Sequence, residues 1–509
     1  MKLFGLFASF GLLFSACAEE KEGIIRIDPG KTITSSYIGN GVQWSAYPHA
    51  DAPDAEWGPI MTQEKWDMVF KRLDYMRPQL VRVMDQANWR YLKGFDKKGK
   101  PVLDFDSPEM KSLYKLLDYC QKNDISVLIG EWGCPFQMHD SEVSRVGSFK
   151  GANDPEWIAI IVKFLDNLIN TKEYTCIKYY NLVNEPNGYW ASTKGNWDEW
   201  SEGIRILDSA LVATGLSEKI SIAGPDAVTQ YDNPDSKYTG VGWLDQSGLQ
   251  LNKYLGIYDI HAYTNYDLVR SGRFTKEYGD IARVARDLNK PIIFGEIGFD
   301  KSTPENLERI KTDKYASEDS QMSIFDFSYG VDMADAAIQI MKSGYSGAAA
   351  WSLDDAMHTL GDEGDKFKLK RWGFWNSLGT ELCGMPEDEN IRPWFYTWSL
   401  LCRYFPAGIN IIESDTTGIE GVRLVAASNG SDMTIAVVNN SATSQTFNMM
   451  IGGTASWKPF KKFIYSEEYR PVDNNFFPVA AEIDIASVNS KVLVDIPAKS
   501  FLLFTSFDY

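Results

Sequence analysis

Histidine and cysteine are scarce in this chain of 509 residues, with four of the first and six of the second. No histidine stands in an H-E-x-x-H arrangement, no cysteine pair has the C-x-x-C spacing of a zinc site, and no glycine-rich loop of the P-loop type occurs. Acidic pieces such as Asp104-Phe105-Asp106 lack the remainder of a calcium loop. The expectation is therefore that neither a metal nor another cofactor takes part. Basic charge is also in short supply: 51 Lys and Arg stand against 69 Asp and Glu, a formal charge of −18. Such acidity disfavours phosphate-backbone binding, so nucleic acid is not an expected partner and a neutral substrate is.

Residues 1–23 read as an address rather than as fold. Lys2 is a basic start, residues 3–14 form an apolar stretch too short to span a membrane, and Ser15-Ala16-Cys17 ends in a small-residue cleavage site. The pattern resembles a bacterial lipoprotein signal. It implies that residues 1–16 are removed, that Cys17 becomes the lipidated first residue, and that residues 17–36 form a tether. The acidic run 18–22 is similar to the tag some Gram-negative envelope lipoproteins carry to the cell surface. The implied location is the cell envelope, at the outer-membrane surface, with the lipid as the only membrane contact. The cysteines left over are then odd in number, which rules out a complete disulfide framework and leaves buried apolar thiols as the expectation.

Aromatic residues, by contrast, are plentiful at 13%, with 16 tryptophans. Sugar rings present flat C–H faces that stack on indole, so a tryptophan-rich acidic chain suggests carbohydrate contact. From residue 37 to 357 short apolar runs alternate with amphipathic ones, the βαβ rhythm of a parallel sheet. Eight candidate strands follow, at 37–44, 80–84, 126–131, 178–183, 220–224, 255–260, 291–295 and 344–351. Helical spacing of Trp66, Val69, Phe70 and Leu73 marks one intervening helix, and Pro108 and Pro155 open two others. Eight such units close into a (β/α)₈ TIM barrel, here placed at 37–405. From about residue 409 strand-like runs replace helices, with an Asn429-Gly430 hairpin signal, so 406–509 reads as an antiparallel β-sandwich to which 24–27 contribute a strand.

In such a barrel chemistry belongs at the strand C-termini. Glu185 follows the fourth strand in YYNLVNEPNGYW and Glu296 ends the seventh in PIIFGEIGF. Two carboxylates delivered to one mouth are what glycosidic cleavage requires: one protonates the leaving oxygen and the other attacks or activates water. Arg82 in LVRVMD, Trp132, Asn184, His261 and Tyr263 in DIHAY, and Trp351 stand at other strand ends. A cation and a phenol near Glu296 are expected to depress its pKa and keep it ionised. Glu131 and Asp85 read as further sugar-binding carboxylates or as solvated ones. Asp354-Asp355 reads as a helix cap or an outer subsite.

Taken together, VRV, NEP, HAY, GEIG and AAAWS on strands two, four, six, seven and eight resemble the clan A retaining glycoside hydrolases. The resemblance implies Glu185 as acid/base, Glu296 as nucleophile, Asn184 on the 2-hydroxyl, Tyr263 and Arg82 steadying the nucleophile, and Trp351 as floor of the cleaved-sugar site. The C-terminal part looks like the barrel-plus-sandwich families 30, 39 and 51, while the core motifs suit family 5. One departure is Glu131-Trp132-Gly133, where much of family 5 has a His-Asn pair. The expected function is double-displacement hydrolysis of a β-linked oligo- or polysaccharide, endo-acting at the envelope. A non-catalytic glycan-binding lipoprotein and a transglycosylase are the alternatives. The loops 47–63, 134–152 and 300–320 decide whether the mouth is a groove or a pocket.

Overall fold

The computed structural model describes residues 24–45, 47, 61–134, 149–358, 368–453, 457–486 and 491–509. The leader, Cys17, the start of the tether and much of the loops 47–63 and 134–152 lie outside the described residues. Segment 300–320 contains a helix, Pro304–Thr312, capped by the Thr303 side chain.

Eight parallel strands close a barrel in chain order: Gly39–Gln43, Leu80–Asp85, Ser126–Glu131, Ile177–Asn181, Ser221–Val228, Leu255–Thr264, Ile292–Phe299 and Gly347–Ala350. The eighth strand pairs with the first, Gly347 opposite Gly39. Glycine lets the backbones meet at this seam, since a Cβ on Gly347 would lie 2.5 Å from the Gly39 carbonyl oxygen. The TIM architecture is as expected, and each predicted strand overlaps an observed one. Between them the helices start where the sequence provides caps. Thr62, Ser107 and Asp154 accept backbone N–H bonds at the heads of Gln63–Met76, Pro108–Lys122 and Pro155–Asp166.

Leu80, Leu128, Ala223, Ile257, Ile293 and Ala349 form an apolar plug inside the barrel. Side chains alternate along a strand, so Arg82 above Leu80 and Asp259 above Ile257 also point inward. A polar layer therefore sits on the apolar one, toward the C-terminal mouth.

The C-terminal part is a nine-stranded, mostly antiparallel sheet. Strand Ile24–Thr34 is built into it, antiparallel to Asn410–Ser414 and parallel to Gln445–Ile451. One face, with Val425, Val438, Phe501 and Leu503, packs into the barrel's core, while Leu424, Ile435, Leu502 and Phe504 belong to a separate core on the other face. Helix Phe327–Lys342 lies between barrel and sheet and is buried nearly all round for that reason. Its Asp332 and Asp335 pair with Arg270 and Arg423, and Asn440 donates to both carboxylates. The five described cysteines are buried. Among the described residues no helix is long and apolar enough to cross a membrane.

Candidate active site

Arg82 sits fully buried at the centre of the barrel mouth. Its Nη1 donates to Glu296 Oε1 at 2.6 Å and to Gln43 Oε1 at 3.0 Å, and its Nη2 donates to Asn184 Oδ1 at 2.8 Å and Asp226 Oδ2 at 3.0 Å. One planar fork thus fixes groups carried by the first, fourth, fifth and seventh strands or the turns after them. Burial opposes its charge, yet Asp226 and Glu296 more than compensate and keep it protonated.

His261 forms the second hub. Nδ1 lies 2.9 Å from Glu185 Oε1 and 3.6 Å from Glu296 Oε2, and Nε2 lies 2.9 Å from Asp226 Oδ1. Burial disfavours the imidazolium, but the charges of Asp226 and Glu296 prevail and raise its pKa well above the usual value. Asp226, which also accepts from Asn181 Nδ2 at 2.6 Å, is pushed up by burial and pulled further down by Arg82 and His261, ending well below the ordinary range. Asp259 goes the other way, raised by burial and then by the neighbouring Asp226 charge. Its Oδ1 accepts the Gly295 N–H at 2.7 Å, and a Cβ on Gly295 would lie 2.4 Å from that oxygen, so the strand before Glu296 needs glycine there.

Glu296 accepts from Tyr263 OH on Oε2 at 2.5 Å. Burial raises its pKa, and His261, Arg82 and the Tyr263 hydroxyl offset this only in part, so the expected depression is not met. The reason is that the carboxyl is dry as well as paired. Glu185 stands in the turn after the fourth strand with φ of 49°, a conformation non-glycine residues rarely hold. Its N–H donates to Asp226 Oδ2 at 3.3 Å and its Oε2 accepts from Trp190 Nε1 at 2.6 Å. An oxygen of Glu185, an oxygen of Glu296 and a ring nitrogen of His261 all lie within 4.8 Å of one another.

That triad, and Asp226 with Asp259 and His261, are the described sets compact enough to hold a metal. In both sets the two ring nitrogens of His261 already face carboxylates, Nδ1 that of Glu185 and Nε2 that of Asp226. Trp132 meets Trp351 edge-on with ring centroids 6.1 Å apart, and Trp351 is largely buried.

Six of the eight expected site residues therefore meet in one hydrogen-bonded network, and the other two, Trp132 and Trp351, meet each other. Four other candidates do not join that network. Asp85 is buried against Arg90, and Glu131 is buried, accepting from Tyr91 OH at 2.7 Å and Ala87 N at 3.0 Å, so neither is solvated nor reaches the cleft. Asp354 and Asp355 are buried too, Asp355 on Arg392 and the Trp372 and Gly373 N–H groups, Asp354 on Tyr47 and Trp375. Gln43, Asn181, Asp226, Asp259 and Trp190 join the site beyond the expected residues. Asp259 has a signal, since it shares the inward parity of His261 and Tyr263 in YDIHAY. Trp190 stands five residues after Glu185 in the quoted motif.

Carboxylates this close can attack an anomeric carbon and pass a proton to the glycosidic oxygen. A family model described as cellulase (glycosyl hydrolase family 5) matches residues 36–356. Solved structures of similar fold include the family 30 subfamily 8 xylanase Xyn30A from Clostridium acetobutylicum (TM-score 0.60, 13% identity, covering 95% of this chain and 99% of that one). A family 39 β-xylosidase from Caulobacter crescentus gives TM-score 0.58 at 11% identity, covering 95% and 99%. The endo-β1,6-glucanase BT3312 gives 0.59 at 15%, covering 96% and 95%. At such identities these likenesses speak to the fold alone. No curated protein matches.

Proposed function

The chain belongs to the cellulase family, glycosyl hydrolase family 5, and is an O-glycosyl hydrolase; on that premise we propose that it cleaves a β-linked oligo- or polysaccharide by double displacement. The observation that carries the reading is that one oxygen of Glu185 lies within 4.8 Å of one oxygen of Glu296, with His261 Nδ1 facing both carboxyls. Retaining enzymes hold their carboxyls about 5–5.5 Å apart, while inverting ones leave roughly 6.5–9.5 Å for a water.

Glu296, with Arg82 on one oxygen and Tyr263 on the other, attacks the anomeric carbon while Glu185 protonates the leaving oxygen. Glu185 then takes a proton from water, which releases the glycosyl group from Glu296. His261 Nδ1 lies between the two carboxyl groups, 2.9 Å from Glu185 Oε1 and 3.6 Å from Glu296 Oε2, where an imidazolium stabilises whichever of them is ionised as the proton moves. Asn184 spends its carbonyl oxygen on Arg82, which turns its amide N–H₂ toward the 2-hydroxyl. Trp351, braced by Trp132, supplies the apolar floor under the sugar.

The β-linked polymer reading draws on the xylanase, xylosidase and endo-glucanase among the structural neighbours. The leader pattern supports a chain anchored through Cys17 at the outer-membrane surface, where an endo-acting enzyme meets polymers too large to enter whole. Purified β-glucans, mannans, xylans and galactans, with product sizes and anomeric configuration recorded by NMR, test this. Net retention on one of them is expected; inversion, or release from none of them or from aryl glycosides, would refute it. Cys17→Ser should abolish lipid labelling in cells.

A further inference from the structure

Glu185 Oε2 is held by a side chain the mechanism above leaves unused. Trp190 Nε1 donates to it at 2.6 Å, while His261 contacts the other oxygen, Oε1. Trp190 is nonetheless 45% exposed. Its ring lies 4.8 Å from Tyr231 and 5.1 Å from Tyr189, which is itself 66% exposed. Solvated aromatic rings grouped in this way cost free energy unless something stacks on them.

The arrangement is built rather than incidental. Asn187 donates through Nδ2 to the Val228 carbonyl at 2.9 Å and accepts the Val228 N–H at 3.0 Å, fastening the turn after the fourth strand to the end of the fifth. That fastening brings Tyr231 to Trp190. Gly188 leaves room for the indole, since a Cβ there would lie 2.4 Å from the ring.

We propose that Trp190 is a positioning residue that couples the leaving-group side of the cleft to proton transfer: its indole N–H aims the Glu185 carboxyl, and its open face, with Tyr189 and Tyr231, receives the pyranose ring that departs. The inference rests on the function proposed above and names its leaving-side subsite. A ring seated on the indole presses against the same side chain that holds Oε2, so an oligosaccharide leaving group finds its proton donor already oriented. A good aryl leaving group needs neither.

The test uses the wild-type enzyme with Trp190→Phe and Trp190→Ala. Phenylalanine keeps a ring but loses the N–H; alanine loses both. For Trp190→Phe, kcat on the oligosaccharide should fall about tenfold, the scale of one hydrogen bond to a carboxylate. Its KM should hold within about twofold, as should kcat/KM on the dinitrophenyl glycoside of the same sugar, which needs no protonation. Trp190→Ala should in addition raise KM for the oligosaccharide about tenfold, the scale of a lost stacking contact. Equal losses on both substrates would mean a merely structural role and overturn the proposal, as would no loss on either. Wild-type enzyme inactive on every glycoside would instead remove the function it rests on, and a wild type that works beside an unaffected Trp190→Phe removes only this inference.

Discussion

Replacing Arg82 with methionine removes the cation nearest Glu296 from a site with almost no solvent to replace it. Arg82 Nη1 and Glu296 Oε1 are 2.6 Å apart, with side-chain exposures of 0% and 4%, so solvent screening is slight. Charge centres about 4 Å apart at an effective dielectric near 20 attract by about 4 kcal/mol. That is roughly three pKa units. His261 remains 3.6 Å from Glu296 and offsets part of the loss, so the acid limb of kcat/KM should rise by about two units, up to a hundredfold loss at pH values between the two limbs. The sign follows from the wild type: burial already holds the Glu296 pKa above its unfolded value. Its contribution to stability is thus present at low pH and lost as pH rises through the folded value, while activity needs the ionised form and runs the other way. Asp226 loses the same cation, so urea unfolding at neutral pH should show a loss of about 3–5 kcal/mol. Arg82→Lys, which keeps the charge with fewer donors, should recover part of the limb shift. An acid limb within 0.3 units of wild type in a folded Arg82→Met enzyme, on the order of a tenth of the full ion-pair effect, would refute the reasoning.

Glu131 offers a test of stability alone. Burial, then the nearby Asp85 charge, raises its pKa to about 8, above the unfolded value, so the native state gains a proton there and loses that advantage as pH rises from 4.5 to 8. Glu131→Gln should therefore gain on wild type across that window in urea denaturation, by at most about 4–5 kcal/mol; parallel curves would contradict it. Glu185→Ala should lose about 10²–10⁴ in kcat on a natural substrate yet still react with activated aryl glycosides, with azide restoring turnover as the glycosyl azide. No response to azide would count against Glu185 as acid/base.

The barrel was legible because its signal repeats: each strand is a short apolar run, and caps such as Ser107 and Asp154 mark the helices between. The mouth was legible because strand ends carry functional groups, so Arg82, Glu185, His261 and Glu296 could be placed before they were seen together. What hid was whatever depends on which way a polar residue faces. Glu131 lies on a barrel strand as Glu296 does, yet its carboxyl turns to Tyr91 and the Ala87 N–H. Asp226 stands in the left-handed conformation with φ of 59°, and parity counting from Ala223 does not reach it. The raised pKa of Glu296 is hidden from the sequence because pairing is visible in a motif and desolvation is not.

The account stands or falls on a covalent bond to one oxygen of Glu296. A 2-deoxy-2-fluoro glycoside with an activated leaving group, incubated with the enzyme and followed by peptide mass spectrometry, should leave a single fluoroglycosyl group on the peptide carrying Glu296. A label on Glu185, or no label from an enzyme whose products show inverted configuration, would contradict it.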